Sequence, residues 1–202
     1  MTDRRVSRHP LAEAVEAAVS AGVGWVQLRE RDLDGAALLA LAEEVKQAAA
    51  AGARARGGEV KLLVNRRIDV ALALPADGVH LGFDAMPPHA ARELLGAEAL
   101  LGLATHSPAE ARCAAHWGLD YLLLAPIFEP FSKPGGRRPL GTSALSEASQ
   151  GVLPVLAQGG IDPPRAASAC GAGAAGVAVT GAILQAADPA EAAAGLRAAL
   201  DG

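Results

Sequence analysis

The sequence predicts an α/β protein of the TIM (βα)8-barrel type. Short apolar runs alternate with alanine-rich helical stretches along nearly the whole 202-residue chain, which is the order of βα units around a parallel sheet. Each apolar run is continuous rather than alternating, as expected for strands that helices cover on both faces. Polar residues directly follow the runs, where a barrel of this type forms its site.

Seven candidate strands are brief and mostly apolar. They cover residues 25–28, 60–64, 78–81, 100–104, 121–125, 154–157 and 176–179. Similar glycine-containing connectors precede several of them, at residues 21–24, 75–78, 117–120 and 170–173. A glycine just past a helix ends that helix by adopting a left-handed conformation, so the connectors predict repeated helix-to-strand transitions.

An eight-stranded barrel needs one more strand than this count provides. The chain runs from Met1 almost directly into the helix that Pro10 opens, whereas a barrel begins with an apolar strand. Either the first strand is absent or truncated, which leaves sheet edges exposed, or the sequence starts inside a longer reading frame. We favour the longer frame, because residues 2–4 are similar to the end of the first strand in the family named below.

Composition and charge indicate one compact domain over residues 1–202. The formal charge is -4, and Lys and Arg are scattered apart from residues 4–5 and 137–138, so we expect no nucleic-acid partner. No apolar run approaches the roughly 20 residues that span a bilayer, and no signal-peptide pattern is evident, so we expect a cytoplasmic protein without a membrane partner. Cys113 and Cys170 are expected to be free thiols in that compartment.

The residues that follow the strands form the candidate site. The last two strands end in Gly159-Gly160 and Thr180-Gly181, where backbone N–H groups at helix starts favour an anion and predict a phosphate site. Charged and polar side chains lie near the ends of the other strands or directly after them. They include Gln27, Arg29, Arg31, Asn65, His80, His106 and Lys133.

In this order, the segments resemble the thiamine phosphate synthase and thiazole tautomerase superfamily. The similarity lies in residues 26–31, 65, 67–71, 78–82, 105–107, 126–128, 132–134, 139–141, 159–161 and 176–179. It covers nearly the whole chain. The resemblance implies a βα barrel, a phosphorylated thiazole as the small-molecule ligand, and a homodimer.

The chain departs from the synthase at the two positions where the resemblance implies magnesium-binding carboxylates. Arg66 and Ala85 occupy these positions. Magnesium needs hard oxygen ligands, and a guanidinium at ~4 Å would oppose a divalent ion by roughly 8 kcal/mol at an effective dielectric near 20. Side-chain donors to a diphosphate are also missing at Ala104 and Pro130, and Asp84 could compensate only through a shifted loop. We therefore expect neither a metal nor another cofactor, with magnesium needed only by a synthase.

These departures favour the thiazole tautomerase branch, which the chain resembles in residues 29–31, 106–107, 110–111 and 128–129. The resemblance implies an isomerase that moves a proton on a thiazole carboxylate phosphate without a metal. A histidine pKa near 6.5 suits such a shuttle, so His106 is the predicted catalytic residue. The predicted substrate-binding residues are Gln27, Arg29, Arg31, Asn65, His80 and Lys133, and the predicted phosphate-binding residues are Gly159, Gly160, Thr180 and Gly181.

Two other functions remain open. A thiamine-phosphate synthase would join the thiazole phosphate to hydroxymethylpyrimidine diphosphate, with Arg66 replacing the metal charge. A non-catalytic binder of a phosphorylated ligand would keep the glycine loops alone. Structural alternatives also remain: His106 could cap a helix, His80 could point into the interior, the glycine pair could serve a tight turn, and Arg66 could be a solvated charge.

Overall fold

Seven strands alternate with helices in the computed structural model, which describes residues 1–82, 84–129 and 137–202. Each strand lies within one residue of its predicted bounds, and this alternation is that of a TIM-like α/β fold. The strands are β1 (Trp25–Leu28), β2 (Lys61–Asn65), β3 (Gly78–Leu81), β4 (Leu100–Thr105), β5 (Tyr121–Leu124), β6 (Val155–Gln158) and β7 (Gly176–Ala178).

Helices follow or precede every strand. Side-chain oxygens of Asp34, Ser107 and Asp162 accept hydrogen bonds from the first turns of three helices, which fixes where those helices begin. Within the described ranges, none of the helices has the length and apolar character to cross a membrane. The helices are α1 (Leu11–Ser20), α2 (Gly35–Ala55), α3 (Ile68–Ala73), α4 (Pro88–Leu95), α5 (Pro108–Ala114), α6 (Gly141–Ala148), α7 (Pro163–Gly171), α8 (Gly181–Leu184) and α9 (Pro189–Asp201).

The chain divides into two compact units. Unit 1 comprises Met1–Val79 and Thr180–Arg197, and unit 2 comprises His80–Val179 and Ala198–Gly202. In unit 1, β1 and β2 pair in parallel, with Leu28 opposite Val64. In unit 2, β4, β5, β6 and β7 pair in parallel in chain order. Parallel pairing brings the carboxyl ends of neighbouring strands to the same sheet edge in each unit.

An aspartate in the connector before a strand fixes the neighbouring strand in both units. In unit 1, the Asp77 carboxylate accepts from Leu62 N at 2.8 Å, and Asp77 N donates to Leu62 O at 2.9 Å. In unit 2, Asp120 makes the same pair of bonds with Leu101, at 2.7 and 2.9 Å. Two bonds between one residue pair fix the strand register at the end opposite the candidate site.

The first residues of the chain lie along the edge of β1. Thr2 N donates to Gln27 O at 2.8 Å, and the Thr2 hydroxyl accepts from Arg29 N at 2.9 Å. These residues do not form an eighth strand, and none occurs elsewhere in the described ranges. The Thr2 contacts hold Arg29 just past the end of β1.

Helices α1 and α2 of unit 1 approach each other at Gly52. A Cβ atom at position 52 would lie 2.5 Å from Glu16 O and 3.0 Å from Ser20 N, both in α1. Val19 and Val45 are fully buried in these two helices. The close approach therefore requires glycine at position 52, which sequence periodicity did not indicate.

Replacement of Gly52 by Ala should lower the free energy of unfolding by about 1–3 kcal/mol, because the added methyl group collides with α1 backbone. The matched control is Gly171→Ala, since a Cβ atom there meets nothing within 4 Å. The control should leave stability unchanged or raise it by up to about 1 kcal/mol. Urea denaturation measures both, and equal stabilities of the two variants would contradict the close-packing account.

Candidate active site

Gln27 and Asn65 join the carboxyl ends of β1 and β2 in unit 1. Gln27 is buried, and its Nε2 donates to Asn65 Oδ1 at 3.1 Å. This bond fixes the amide orientation of Asn65, because its oxygen faces the Gln27 donor. The structure therefore brings together two of the predicted substrate-binding residues.

Glu30 ties the segment after β1 to the start of the chain. Its side chain is 1% exposed and its two oxygens accept from Arg4 N at 3.0 and 3.1 Å. The Arg4 guanidinium also donates to Glu30 at 3.1 Å and to Asp32 at 2.8 and 2.7 Å. The Arg4 hydrogen bond lowers the pKa of Asp32 to about 2. The charge of Arg4 is therefore neutralised within this cluster.

Arg29 and Arg31 lie on either side of Glu30, and neither makes an ion pair within the described residues. Arg29 is partly buried. Burial lowers its pKa, Arg31 and Arg5 act in the same direction, and the carboxylates of Asp3 and Glu30 act against it. A lowered guanidinium pKa means that the site disfavours the charge that Arg29 carries. An anionic ligand would relieve that cost, so this end of β1 can bind a phosphate or carboxylate group.

Two tight turns follow Asn65 at the end of β2. Arg67 N donates to Asn65 O at 2.8 Å, and Arg66 has φ 67°. This is a γ-turn with positive φ at its centre, a rare and strained form. Ile68 N then donates to Arg66 O at 3.2 Å, with Arg67 at φ -89° and ψ 83°. Left-handed backbone costs a non-glycine residue roughly 1–2 kcal/mol, so the loop holds Arg66 in an unfavourable conformation.

Arg67 stabilises the loop after β2 through its side chain. Its guanidinium donates to both carboxylate oxygens of Asp69, at 2.9 and 2.5 Å. A Cβ atom at Gly35 would lie 2.8 Å from the Arg67 guanidinium, so the missing side chain there leaves room for it at the start of α2. The Arg67–Asp69 pair fixes the turn on the far side of Arg66.

His80 in unit 2 is buried beneath Tyr121. Its Nδ1 lies 3.0 Å from the Tyr121 hydroxyl, and the two rings stack at 5.6 Å. Burial, and then the Asp120 charge, raises the pKa of Tyr121. A Cβ atom at Gly102 would overlap the Tyr121 ring, so that glycine makes room for the pair. The interior alternative for His80 agrees with this arrangement, and its contact with substrate stays a prediction.

His106 lies at the carboxyl end of β4 with a defined tautomer. Its Nδ1 is 2.8 Å from Ala125 O, and because a carbonyl only accepts, Nδ1 carries the proton. His106 N donates to Glu110 Oε2 at 2.7 Å, and Glu110 N donates to Ser107 Oγ at 3.1 Å. The helix cap is therefore formed by Ser107 with Glu110, and the His106 ring contacts the Ala125 carbonyl instead of capping the helix.

The loop of Gly159 and Gly160 packs against the backbone that follows β5. Ile127 N donates to Gln158 O at 2.8 Å, and Phe128 N donates to Gly159 O at 3.1 Å. The two glycines have φ 102° and 59°, and a Cβ atom at Gly160 would overlap the carbonyl of Glu129. Both a left-handed backbone and close approach therefore require glycine here. A phosphate contact by these residues stays a prediction.

Arg165 holds that loop from α7. Its guanidinium donates to Gly160 O at 2.9 Å and lies 5.4 Å from the centre of the Phe128 ring. Arg165 N also donates to Asp162 Oδ1 at 2.9 Å. Sequence reasoning missed Arg165, because its position in the first turn of a helix carries no motif.

Thr180 and Gly181, the other predicted phosphate residues, belong to unit 1 and begin the short helix α8. The Thr180 hydroxyl is buried and has no hydrogen-bond partner within the described ranges. Such a group needs an acceptor or donor from a ligand or solvent, which agrees with a role in binding. Lys133, predicted to bind substrate, lies outside the described residues.

A cavity of about 890 Å³ in unit 2 lies between α4, α5 and β4. Its lining includes Met86, Leu103 and Trp117, together with Arg92. The Arg92 guanidinium already donates to Gly118 O at 3.0 Å and to Asp120 at 2.7 Å. Arg92 is therefore already engaged by groups of the protein itself.

The residues at the end of β2 do not fit a magnesium ion. Asn65 Oδ1 accepts from Gln27, and both Asp69 oxygens accept from Arg67. Arg66 adds a positive charge, and within the described residues His, Cys, Asp and Glu form no group of three that could hold a metal. Magnesium prefers several oxygen ligands in octahedral geometry, and this part of the chain does not offer them.

Comparison with known proteins identifies the family. The sequence profile described as thiamine monophosphate synthase matches residues 1–183. The chain belongs to this family.

Relatives and a solved structure agree with that assignment. The thiamine-phosphate synthase of Roseiflexus castenholzii is 41% identical over 191 residues, covering 94% of this chain and 81% of its own. The putative thiamine-phosphate synthase of Geobacter sulfurreducens is 40% identical, covering 99% and 92%. The thiamine phosphate pyrophosphorylase structure from Pyrococcus furiosus superposes with a TM-score of 0.86 at 30% identity, covering 99% and 93%. The TIM-like α/β fold class is confirmed by this similarity.

The prediction of a thiazole tautomerase, an isomerase, is wrong. Relatives that are about 40% identical over nearly the whole chain are named thiamine-phosphate synthases. The prediction gave too much weight to the departures at Arg66 and Ala85. The proton-shuttle role predicted for His106 belonged to that isomerase reaction, so it no longer applies.

Replacement of Gly160 by Ala should destabilise the protein more than replacement of Gly141 by Ala. Both glycines are left-handed, with φ 59° and 78°, but a Cβ atom meets nothing within 4 Å at Gly141 and overlaps Glu129 O at Gly160. The control carries only the backbone cost of about 1 kcal/mol, and Gly160→Ala should lose a further 1–3 kcal/mol, roughly the cost of overpacking. Denaturant unfolding measures the loss of stability in both variants. Equal losses would show that Gly160 does not pack closely against the Glu129 carbonyl.

Proposed function

We propose that this chain is a thiamine-phosphate synthase, a transferase that joins a thiazole phosphate to hydroxymethylpyrimidine diphosphate. The observation that carries the proposal is the similarity, at about 40% identity and over nearly the full length, to relatives that bear this name. The substrates are small and phosphorylated. Assembly as a homodimer stays a prediction.

In this reaction, the site must stabilise the negative charge of the diphosphate. The thiazole nitrogen donates its lone pair to the pyrimidine methylene carbon, and the bond from that carbon to the diphosphate oxygen breaks. The electron pair leaves with the diphosphate, and no proton has to move. Catalysis therefore depends on cations arranged where charge develops on the leaving group.

Arg29 and Arg31 suit the diphosphate. Both follow β1, and neither has an ion pair within the described residues. The guanidinium fork matches phosphate oxygens in a bidentate manner. The buried Glu30 carboxylate holds the segment between them through its bonds to Arg4, so the two arginines reach the ligand from a fixed backbone.

The remaining predicted residues suit the two heterocycles and the thiazole phosphate. Asn65 presents an amide that Gln27 orients, which can contact a pyrimidine ring through its NH2 group. The contact between His106 Nδ1 and Ala125 O, at 2.8 Å, orients the imidazole ring. The contacts predicted with the phosphorylated substrate for Lys133, Gly159, Gly160, Thr180 and Gly181 stay predictions.

The purified protein should form thiamine phosphate from the two substrates. Chromatographic detection of thiamine phosphate and of released diphosphate, in equal amounts, measures the reaction directly. The assay is run with magnesium and with a chelator, so that its outcome does not depend on a metal. Absence of product in both conditions would refute the synthase and leave the non-catalytic binder.

Replacement of Arg29 by Ala should lower kcat/KM for hydroxymethylpyrimidine diphosphate by about 100-fold, the value expected for loss of a charge-assisted hydrogen bond in a partly buried site. Arg54→Ala is the matched control, because Arg54 is exposed in the last turn of α2. The control should keep the wild-type rate. Equal rates for the two variants would remove Arg29 from the diphosphate site.

A further inference from the structure

We propose that this chain holds the diphosphate through guanidinium groups at the ends of β1 and β2, with Arg66 in place of a protein-bound divalent cation. The inference rests on the proposed function, because the diphosphate is the leaving group of that reaction. Its consequence is that the diphosphate binds without magnesium.

The first observation is the backbone of Arg66. Its φ of 67° forms the centre of the strained γ-turn between Asn65 and Arg67. Strained non-glycine residues persist where the surroundings fix them, and they cluster at ligand sites. Here Gln27 fixes Asn65 on one side at 3.1 Å, and Asp69 fixes Arg67 on the other at 2.9 Å. A turn that only reversed the chain could carry glycine, which has no such cost.

The second observation is how carboxylates are used at this edge of unit 1. Asp69 is the one acidic residue among residues 65–69, and Arg67 binds both of its oxygens. Glu30 and Asp32 are bound by Arg4. These carboxylates therefore neutralise arginines that support the loops, and they are not left to coordinate a cation.

The third observation is the position of the cations. Leu28 lies opposite Val64 in the β1–β2 register, so Arg29 follows one strand and Arg66 follows the other at neighbouring points of one sheet edge. Arg31 adds a third guanidinium on the same segment as Arg29. The planar fork of a guanidinium matches phosphate oxygens in a bidentate manner, so these three groups together can hold a diphosphate.

The group-transfer step balances without a metal. The nitrogen lone pair forms the new C–N bond, and the electrons of the C–O bond pass to the diphosphate oxygen. The guanidinium groups neutralise this oxygen by hydrogen bonds and keep their own protons. No oxidant, reductant or further reactant takes part.

The test is titration calorimetry of the whole protein with inorganic pyrophosphate, in a chelator and in excess magnesium. Pyrophosphate should bind in the chelator with an affinity within about threefold of that in magnesium or tighter. Arg66→Gln should weaken binding in the chelator by about 10- to 100-fold, the range for a lost charge-assisted bond. Binding that appears only with magnesium, or an unchanged affinity in the variant, would overturn the proposal.

A second variant separates ligand binding from folding. Arg66→Gly removes the side chain and suits the left-handed backbone, so the protein should be at least as resistant to urea as the wild type while its pyrophosphate affinity falls at least 10-fold. Arg54→Gln, at an exposed position of the same unit, should retain both properties. Lower stability of Arg66→Gly with unchanged affinity would make Arg66 a structural residue and refute the proposal.

The calorimetry distinguishes this inference from the proposed function. Pyrophosphate binding in the chelator without thiamine phosphate formation under any condition would refute the synthase and support the metal-free anion site. Thiamine phosphate formation that requires magnesium, together with magnesium-dependent pyrophosphate binding, would support the synthase and refute the role of Arg66.

Discussion

The positive charge of Arg29 is the constraint on which the rest of the site depends. The guanidinium is partly buried beside Arg31, and burial and that neighbour lower its pKa. Within the described residues, the nearby carboxylate of Glu30 is already engaged by Arg4. Arg29 makes no ion pair within these residues, although the charges of Asp3 and Glu30 partly offset the effect of burial and of Arg31. Such an environment favours an anionic ligand, and this is the physical reason for proposing a diphosphate at this edge.

The fold supports the site by fixing the strands from the opposite end. Asp77 and Asp120 bind Leu62 and Leu101 through paired backbone bonds, so the register of the strands does not depend on the loops that carry function. Those loops are then free to adopt costly geometries. Arg66 shows this in its left-handed turn. In βα folds generally, one end of the strands contributes to stability, and the loops at the other end carry the functional residues. The contacts of Asp77 and Asp120 agree with this arrangement.

Sequence periodicity sufficed to predict the strands, because continuous apolar runs reflect burial on both faces. The glycine connectors indicated where the preceding helices end. Sequence reasoning also placed Gln27 and Asn65 near the carboxyl ends of two strands, and the structure shows that their side chains are hydrogen-bonded. It did not reveal contacts that depend on shape, such as the space that Gly102 leaves for Tyr121 or the bond from Arg165 to Gly160. The reaction class was misjudged because Arg66 and Ala85 were read as a loss of diphosphate chemistry. A guanidinium can neutralise the same anion.

The most direct test of the central claim is a crystal structure of the protein grown with pyrophosphate and Mn²⁺, with anomalous scattering used to locate the metal. The account predicts that guanidinium nitrogens of Arg29 and Arg66 lie within hydrogen-bond distance, about 2.7–3.2 Å, of pyrophosphate oxygens, and that no metal ion is bound to a protein oxygen at this edge. A manganese ion coordinated by protein oxygens and bridging to the pyrophosphate would contradict it.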